Sequence, residues 1–564
     1  MSKGTSGNRS GYKVFSINTT IRNPKRNGEF LRIFEPFNGK EFDKQTSYEY
    51  LYELIKYGVY RVSNIPLTIQ QKWENGTELT PKEIHDAIEN NPQACGLQGR
   101  VMTQLRSLKD QGFLIFNAVK RGKNKISLTV LGQDIVDNQK DPTIAYTKAM
   151  LGLQAKSPCR TKIWNRSRPF LNTLFVIEEV NKHWKELGNK PQGILMHEFA
   201  TFVLSMKDCD YHSAADKIIQ YRLQFRFEAN EAYIENYLAD EGILHLEFNS
   251  LIKDYPDEVF RKFEMTGLLR GHGTYHRYID FSLYNYSKVQ EILKAYADYR
   301  WEEFSNVSAY VAYLEKQQIP WENDEFIRRK VVEEKAKVLN IKLGEEKTLE
   351  EKEEILDRIF YTKALEKAIN KYDDAFIRKE LLILSQGKNS KDLDSISEPL
   401  RLEYLLALYF GKRYGLEGLI SNIIYDEEGK PLHCAPGGKS DIIFHSKSGS
   451  YILEPTMITS KAQQSNNETT SIVRHVKDEE KKANLHYRVM MIAPRVHTDI
   501  VDYFQYKAKC CEVKITPLSI ERTVGLFQDS DTLSELGFNY DRIFELLLNN
   551  SVEVYTDTMN NYRA

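Results

Sequence analysis

Two carboxylates stand at matching places in the segment PGGKSDIIFHSKSGSYILEPTM, Pro436 to Met457. Asp441 precedes the apolar run Ile442-Ile443-Phe444, and Glu454 follows the apolar run Tyr451-Ile452-Leu453. Ser446-Lys447-Ser448-Gly449 between them has turn composition. Folding the segment as a hairpin about that turn sets His445 opposite Ser450 and, in the same register, Asp441 opposite Glu454. Directly opposed side chains share one face, with Cβ atoms roughly 4.5–5.5 Å apart. Two like charges placed so destabilise a hairpin unless something positive lies between them. A divalent cation with hard oxygen ligands, such as Mg²⁺, fits that place. The chemistry of such a pair is phosphate-ester hydrolysis, in which the metal polarises the phosphate and lowers the pKa of attacking water.

The elements that must position the acids lie on either side. Upstream, EPLRLEYLLALYFGKRYG reads as a helix with Pro399 in its first turn. Glu403 shares the stripe of Leu406, Ala407 and Phe410 and so points inward. Downstream, NNETTSIVRHVKDEEKK is a helix with Glu468, Ile472 and His475 on one side. HYRVMMIAP, His486 to Pro494, reads as a fully buried strand, followed by a helix from Asp499 to Lys507 and a strand from Val513 to Pro517. Helix, hairpin, helix, strand, helix, strand makes an α/β domain with its acids gathered at one edge of the sheet. Taken singly, Glu403 is a helix-dipole residue, Asp441 a strand-start cap and His475 a packed histidine. Their joint arrangement resembles the PD-(D/E)xK nuclease core, with Thr456 where the usual lysine stands; Lys461 is a second source of positive charge near the site.

These motifs resemble those of the AlwI-like family of type IIS restriction and nicking endonucleases. In that pattern an inward helix Glu precedes a PD strand, a Glu-x-Thr strand and a helix ending in Arg-His. The chain supplies Glu403 in LEYL, Asp441 in GKSDII with Ser440 in place of the proline, Glu454 in LEPT, and Glu468 and His475 in ETTSIVRH. The resemblance implies that these five form the catalytic set. Asp441 and Glu454 would be metal ligands, Glu403 a further ligand, and Glu468 and His475 would position or activate water. It further implies a Mg²⁺-dependent enzyme that cuts double-stranded DNA at a fixed offset from a short asymmetric site. A strand-specific nicking enzyme, or the large subunit of a heterodimeric restriction enzyme, is the alternative. A transient homodimer or a small catalytic subunit would complete double-strand cleavage.

The front half carries a different signal. In Gly96 to Asn138, Val101, Leu105 and Leu108 recur at helical spacing, Gly112 ends the helix, and a strand, a basic turn and a second strand follow. Helix, strand, basic turn, strand is the grammar of a winged helix, whose helix enters a major groove while the wing meets phosphates. The same grammar returns at 256–293, with strands around Leu268 and from Tyr278 to Leu283. Basic residues cluster in three knots, and the candidate DNA contacts among them are Arg121, Lys123, Lys125, Arg160, Arg166, Arg168, Arg270, His272 and Arg277. From about 300 to 395 the chain is dense in Glu and Lys with helical periodicity, the composition of a charged helical linker. The expected architecture is multidomain α+β: a DNA-recognition subdomain with a winged-helix-like unit over 1–145, a second over 146–300, a helical linker over 301–395, and an α/β PD-(D/E)xK-like nuclease domain over 396–564.

Bulk properties agree. At 564 residues the chain exceeds one hydrophobic core. Its net charge of −1 excludes a polycation, though not a clustered nucleic-acid surface. No apolar run approaches the about 18 residues of a membrane span, and the polar start lacks a secretory core. The six cysteines form no C-x-x-C pair, which argues against a zinc site or disulfide framework and for a cytoplasmic setting, with Cys510 and Cys511 as buried thiols. The absence of a Walker motif removes a motor. A winged-helix DNA-binding regulator with an inactive nuclease-like tail is the rival of another class, and a structure-specific nuclease or helicase accessory is the rival within the enzymes.

Overall fold

The computed structural model describes residues 11–17, 20–21, 23–74, 79–96, 99–120, 123–137, 140–244, 247–272, 278–388, 390–393, 396–434, 440–458, 464, 469–511 and 513–563. The chain divides into two units. The first comprises Met1–Tyr50, Cys95–Asp137 and Asp141–Glu353, and the second Leu51–Ala94, Asn138–Lys140 and Glu354–Ala564.

One arrangement occurs twice in the first unit. Strand β1 (Lys40–Phe42), helix α1 (Arg100–Asp110) and the hairpin β2 (Leu114–Lys120) and β3 (Lys123–Leu128) give an antiparallel sheet of order β1-β3-β2. Val101, Leu105 and Leu108 are buried on one face of α1, as their spacing requires. Gly112, at φ +86°, reverses the chain into β2 in a left-handed conformation costly for any side chain. The second occurrence uses β4 (Ile194–Leu195), β5 (Leu269–His272) and β6 (Tyr278–Phe281) in the order β4-β6-β5, again antiparallel. Helices α2 (Pro169–Glu186), α3 (Tyr211–Phe225) and α4 (Tyr255–Glu264) accompany it.

A fully buried ion pair ties α3 to the start of β4. Arg222 donates from Nε to Glu198 Oε1 at 2.8 Å and from Nη2 to Glu198 Oε2 and the Gly193 carbonyl, both at 2.7 Å. Gly193 has φ +71°, and a Cβ there would stand 2.0 Å from the Ile279 carbonyl oxygen, so only glycine fits between β4 and β6.

The second unit is built on a five-stranded sheet. Its strands are β7 (Leu419–Ser421), β10 (Ile442–Ser446), β11 (Gly449–Pro455), β12 (Arg488–Ala493) and β13 (Ile515–Ser519), in the order β13-β12-β11-β10-β7. A small hairpin, β8 (Ile424–Tyr425) and β9 (Pro431–His433), stands apart from it. β11, β12 and β13 run parallel, while β10 is antiparallel to both β11 and β7. The strands read as near-continuous apolar runs because both faces of the sheet are covered. Ile442, Phe444, Tyr451, Leu453, Met490, Ile492 and Leu518 pack with α5 (Glu398–Tyr414) and the later helices Ile520–Gln528 and Leu533–Asn549. Ile443, Ile452, Val489, Met491 and Ile515 pack with α6 (Thr469–Ala483) and α7 (Thr498–Cys511).

Two corrections follow. The acids do not lie at an edge, because β7 covers the outer side of β10 and leaves the hairpin inside the sheet. Cys510 is exposed rather than buried. Among the described residues no helix is long and apolar enough to cross a membrane.

Candidate active site

The hairpin register is the expected one. Ile442 faces Leu453, Ile443 faces Ile452, and the series runs to Ser446 facing Gly449 across a Lys447-Ser448 turn. Asp441 is the next residue out from Ile442, and Glu454 the next from Leu453, so the register carried one step further sets them opposite. Alternation places Glu454 on the face of Ile452, toward α6. Its other flank pairs with Met491 of β12. Asp441 is half-buried, and its carbonyl accepts the Asn422 backbone N–H at 3.0 Å. The Asn422 side-chain amide donates to the neighbouring Ser440 carbonyl. Asn422, just past β7, thus holds the backbone of the first acid; no sequence signal distinguished it from other asparagines.

Helix α6 brings His475 to Glu454. Ile472, Val473 and Val476 bury its inner face against the sheet. Between them His475 Nδ1 lies 3.8 Å from Glu454 Oε1, with the two side chains 11% and 6% exposed. This separation is an ion-pair distance rather than a hydrogen bond. Both atoms are buried, and among the described residues neither has a hydrogen-bond partner. On the far side of the ring, His475 Nε2 is 3.4 Å from Ser471 Oγ. Thr456 is buried, and its hydroxyl accepts the Ile458 N–H at 3.1 Å, so this position supplies no cation.

Glu403 is buried on α5, the helix covering the other face of the sheet from α6. It lies near Tyr425, whose phenol is pushed up by burial first, with the Glu403 charge adding to it against the Ser421 hydrogen bond. Ser421 Oγ meets the Tyr425 hydroxyl at 2.7 Å, and Ser421 faces Ile442 in the sheet. This chain of contacts places Glu403 at the Asp441 end of β10. Among the described residues, no three Asp, Glu, His or Cys side chains converge closely enough to hold a metal ion. Glu403, Asp441 and Glu454 are therefore not drawn together as a three-carboxylate cage. Glu468 and Lys461 lie outside the described residues.

The residues expected on DNA divide sharply. Lys125 is exposed on β3, and Arg166 is exposed. Arg160 is buried, 3.7 Å from Asp110 and with its guanidinium 4.8 Å from the Phe15 ring centre. Arg168 is buried too, donating to the Leu151 carbonyl and Gln317 Oε1 among the rings of Tyr296, Tyr299 and Tyr313. Burial takes both arginines off the exposed surface. Arg270 is half-buried on β5, opposite Asp280. Arg121 and Arg277, and the side chains of Lys123 and His272, lie outside the described residues.

The family model described as AlwI restriction endonuclease matches residues 110–526, most of the chain and the whole of the sheet that carries Asp441 and Glu454. The chain belongs to the AlwI restriction endonuclease family. As a member it is a type II site-specific deoxyribonuclease. Among solved structures the chain is similar to the small subunit, R.BspD6I2, of the heterodimeric restriction endonuclease R.BspD6I, at 16% identity. That match covers 33% of this chain and 97% of that one, with a TM-score of 0.28. It is also similar to the restriction endonuclease FokI, at 11% identity over 96% of this chain and 74% of that one, with a TM-score of 0.19. FokI bound to DNA matches at 11% identity, 96% and 73% coverage and a TM-score of 0.19. No curated protein matches the chain.

Proposed function

We propose that this family member hydrolyses DNA phosphodiester bonds as a Mg²⁺-dependent type IIS enzyme, with Asp441, Glu454 and His475 at the reacting centre. The observation that carries the reading is the buried Glu454 Oε1, facing His475 Nδ1 and, among the described residues, without a hydrogen-bond partner. An orphaned carboxylate oxygen beside a second carboxylate, Asp441, suits a hard divalent cation with oxygen ligands. When bound, such an ion supplies a Lewis acid to the phosphate and acidifies a water. Asp441 and Glu454 would hold it, with Glu403 as a further ligand, direct or through water, and Glu468 positioning water together with His475. His475 acts on the water: with its Nε2–H donated to Ser471 Oγ, its Nδ1 lone pair accepts the water's proton as the new phosphorus–oxygen bond forms. The phosphorus–oxygen bond to the leaving sugar breaks, and the departing oxygen takes a proton from solvent.

The front half reads the site in this proposal, as two winged-helix-like subdomains over 1–145 and 146–300. The shared strand orders β1-β3-β2 and β4-β6-β5 support it. Lys125 of the first hairpin turns to phosphates, with Arg121 and Lys123 as its neighbours in the wing. A linker over 301–395 then sets the nuclease domain, 396–564, past the recognition site, which makes the cut offset.

One catalytic set per chain favours a nick at each encounter, so both the nicking and the double-strand readings enter the test. Supercoiled plasmid is incubated with the protein in Mg²⁺ or in EDTA. Linear products with defined ends, only in Mg²⁺, support a double-strand type IIS enzyme, whose site and offset run-off sequencing then gives. Relaxed circles alone support a nicking enzyme or a subunit awaiting its partner. Cleavage that persists in EDTA overturns the metal assignment.

A further inference from the structure

The basic segment Cys159–Arg168 turns at Thr161-Lys162 and then runs extended from Ile163 to Arg168 between two neighbours. Ile163 bridges Gly11, the Arg166 N–H donates to the Lys207 carbonyl, and Ala155 and Lys156 donate to the Ser167 and Asn165 carbonyls. Asn165 is buried and pins the inner side, bonding both backbone groups of Lys13 and the Met206 carbonyl, each at 3.0 Å. Alternation along an extended chain does the rest. Asn165 and Ser167 face in and Trp164 and Arg166 face out, while Lys162 is exposed in the turn just before them.

The outward row has the chemistry of a nucleic-acid contact. Trp164 is 50% exposed, whereas Trp184 and Trp321 are each 8% exposed. Among the described residues its aromatic neighbour is Tyr12, edge-on at 6.2 Å, which leaves an indole face to solvent. An indole so exposed loses hydrophobic stabilisation in the free protein, and such rings mark contact surfaces. Arg166 has no carboxylate partner among the described residues. Its guanidinium is 4.9 Å from the Trp301 ring centre, and Trp301 is itself anchored by donation from Nε1 to the Lys156 carbonyl at 2.8 Å. Arg166 is therefore backed and extended rather than neutralised. Trp164 and Arg166, two residues apart on the extended part, stand roughly 6.6 Å from each other, about one phosphate-to-phosphate step along a DNA strand. Glu241, linked to this region through Lys207, is engaged by Lys207 and Lys217 at 3.0 and 3.2 Å.

We infer that Lys162, Trp164 and Arg166 form a backbone-gripping row on duplex DNA: the two cations meet phosphates of one strand and the indole packs on the deoxyribose between them. The row anchors the duplex without reading its bases. This rests on the assignment of the chain as a DNA-cutting enzyme, and duplex binding by the unmodified chain tests that separately.

The experiment uses the full-length protein in EDTA with a short synthetic duplex of arbitrary sequence. Duplex is expected to quench a part of the tryptophan emission that is absent from Trp164→Phe. Trp164→Ala is expected to weaken binding roughly tenfold. Arg166→Ala should flatten the slope of log affinity against log salt by about 0.9, the loss of one phosphate contact. Thermal melts of the three variants should match the unmodified protein, because the replaced groups are exposed. Unmodified protein that binds duplex while all three variants bind, quench and respond to salt like it overturns the row alone. An unmodified chain that binds no duplex overturns the row and the DNA reading together.

Discussion

Glu454 Oε1 and His475 Nδ1 face each other at 3.8 Å, both buried and, among the described residues, neither hydrogen-bonded. An unsatisfied buried polar group costs about 1–3 kcal/mol, so this pair sets function against stability. Glu454→Gln places an amide donor beside the Nδ1 lone pair. The variant is expected to lose cleavage by on the order of 10³-fold and to melt at a higher temperature than the parent in EDTA. A variant that is both inactive and less stable would mean that Glu454 is a structural residue.

His475→Ala is expected to lower the cleavage rate by roughly 10²–10⁴-fold, the range for a lost general base, with duplex affinity unchanged. Ser471→Ala should cost less, since Ser471 only orients the ring. Single-turnover rates with binding measured in parallel separate these effects, and a weakened affinity in His475→Ala would place the ring in DNA binding instead.

Mg²⁺ should stabilise the unmodified protein against heat, because a ligand of the folded state alone raises stability. The gain is about 2.7 kcal/mol at a hundredfold excess over its dissociation constant. Glu454→Gln should show little of that shift. Equal shifts in both proteins would put the ion elsewhere.

The Arg222–Glu198 pair lies wholly inside the first unit. Removing one partner leaves a buried charge alone, so Arg222→Ala should cost about 3–5 kcal/mol. Urea denaturation followed by circular dichroism reads this loss, and a cost below about 1 kcal/mol would show that water reaches the site.

Hydrogen bonding to Lys207 leads the causes that hold the Glu241 carboxyl below its ordinary value of 4.5. A lowered carboxylate pKa contributes stability that is complete above the unfolded value and disappears as pH falls through the folded one. The cluster should therefore act fully above pH 4.5 and fade below it. Acid titration of Lys207→Met should show unfolding beginning at higher pH than in the parent.

Much of the second unit was legible because its signals are local. The hairpin register followed from one turn and two apolar runs, and the inward side of α6 followed from Ile472 and His475. β12 and β13 lay within a residue or two of their expected limits. What escaped depends on distant chain. β7 is a three-residue strand, too short to carry a period, and it exists because β10 offers an unpaired edge. Charge alone could not tell Arg160 and Arg168 from Arg166. All three sit in one basic run, and only the packing of Phe15, Gln317 and the surrounding tyrosines turns two of them inward.

The two-residue turn at Lys447-Ser448 acts as a ruler for the acid-bearing end of the hairpin, although it stands at the opposite end of both strands. Asp441 is fastened through Asn422 on one flank, and Glu454 through β12 on the other, so each acid has its own moorings. Only the turn counts residues between them. Because side chains alternate, one residue gained or lost there would offset the count, and one acid would have to leave the face it shares with the other. The strictest requirement on the proposed chemistry is thus a requirement on length, borne by two residues at the far end of the strands from the acids.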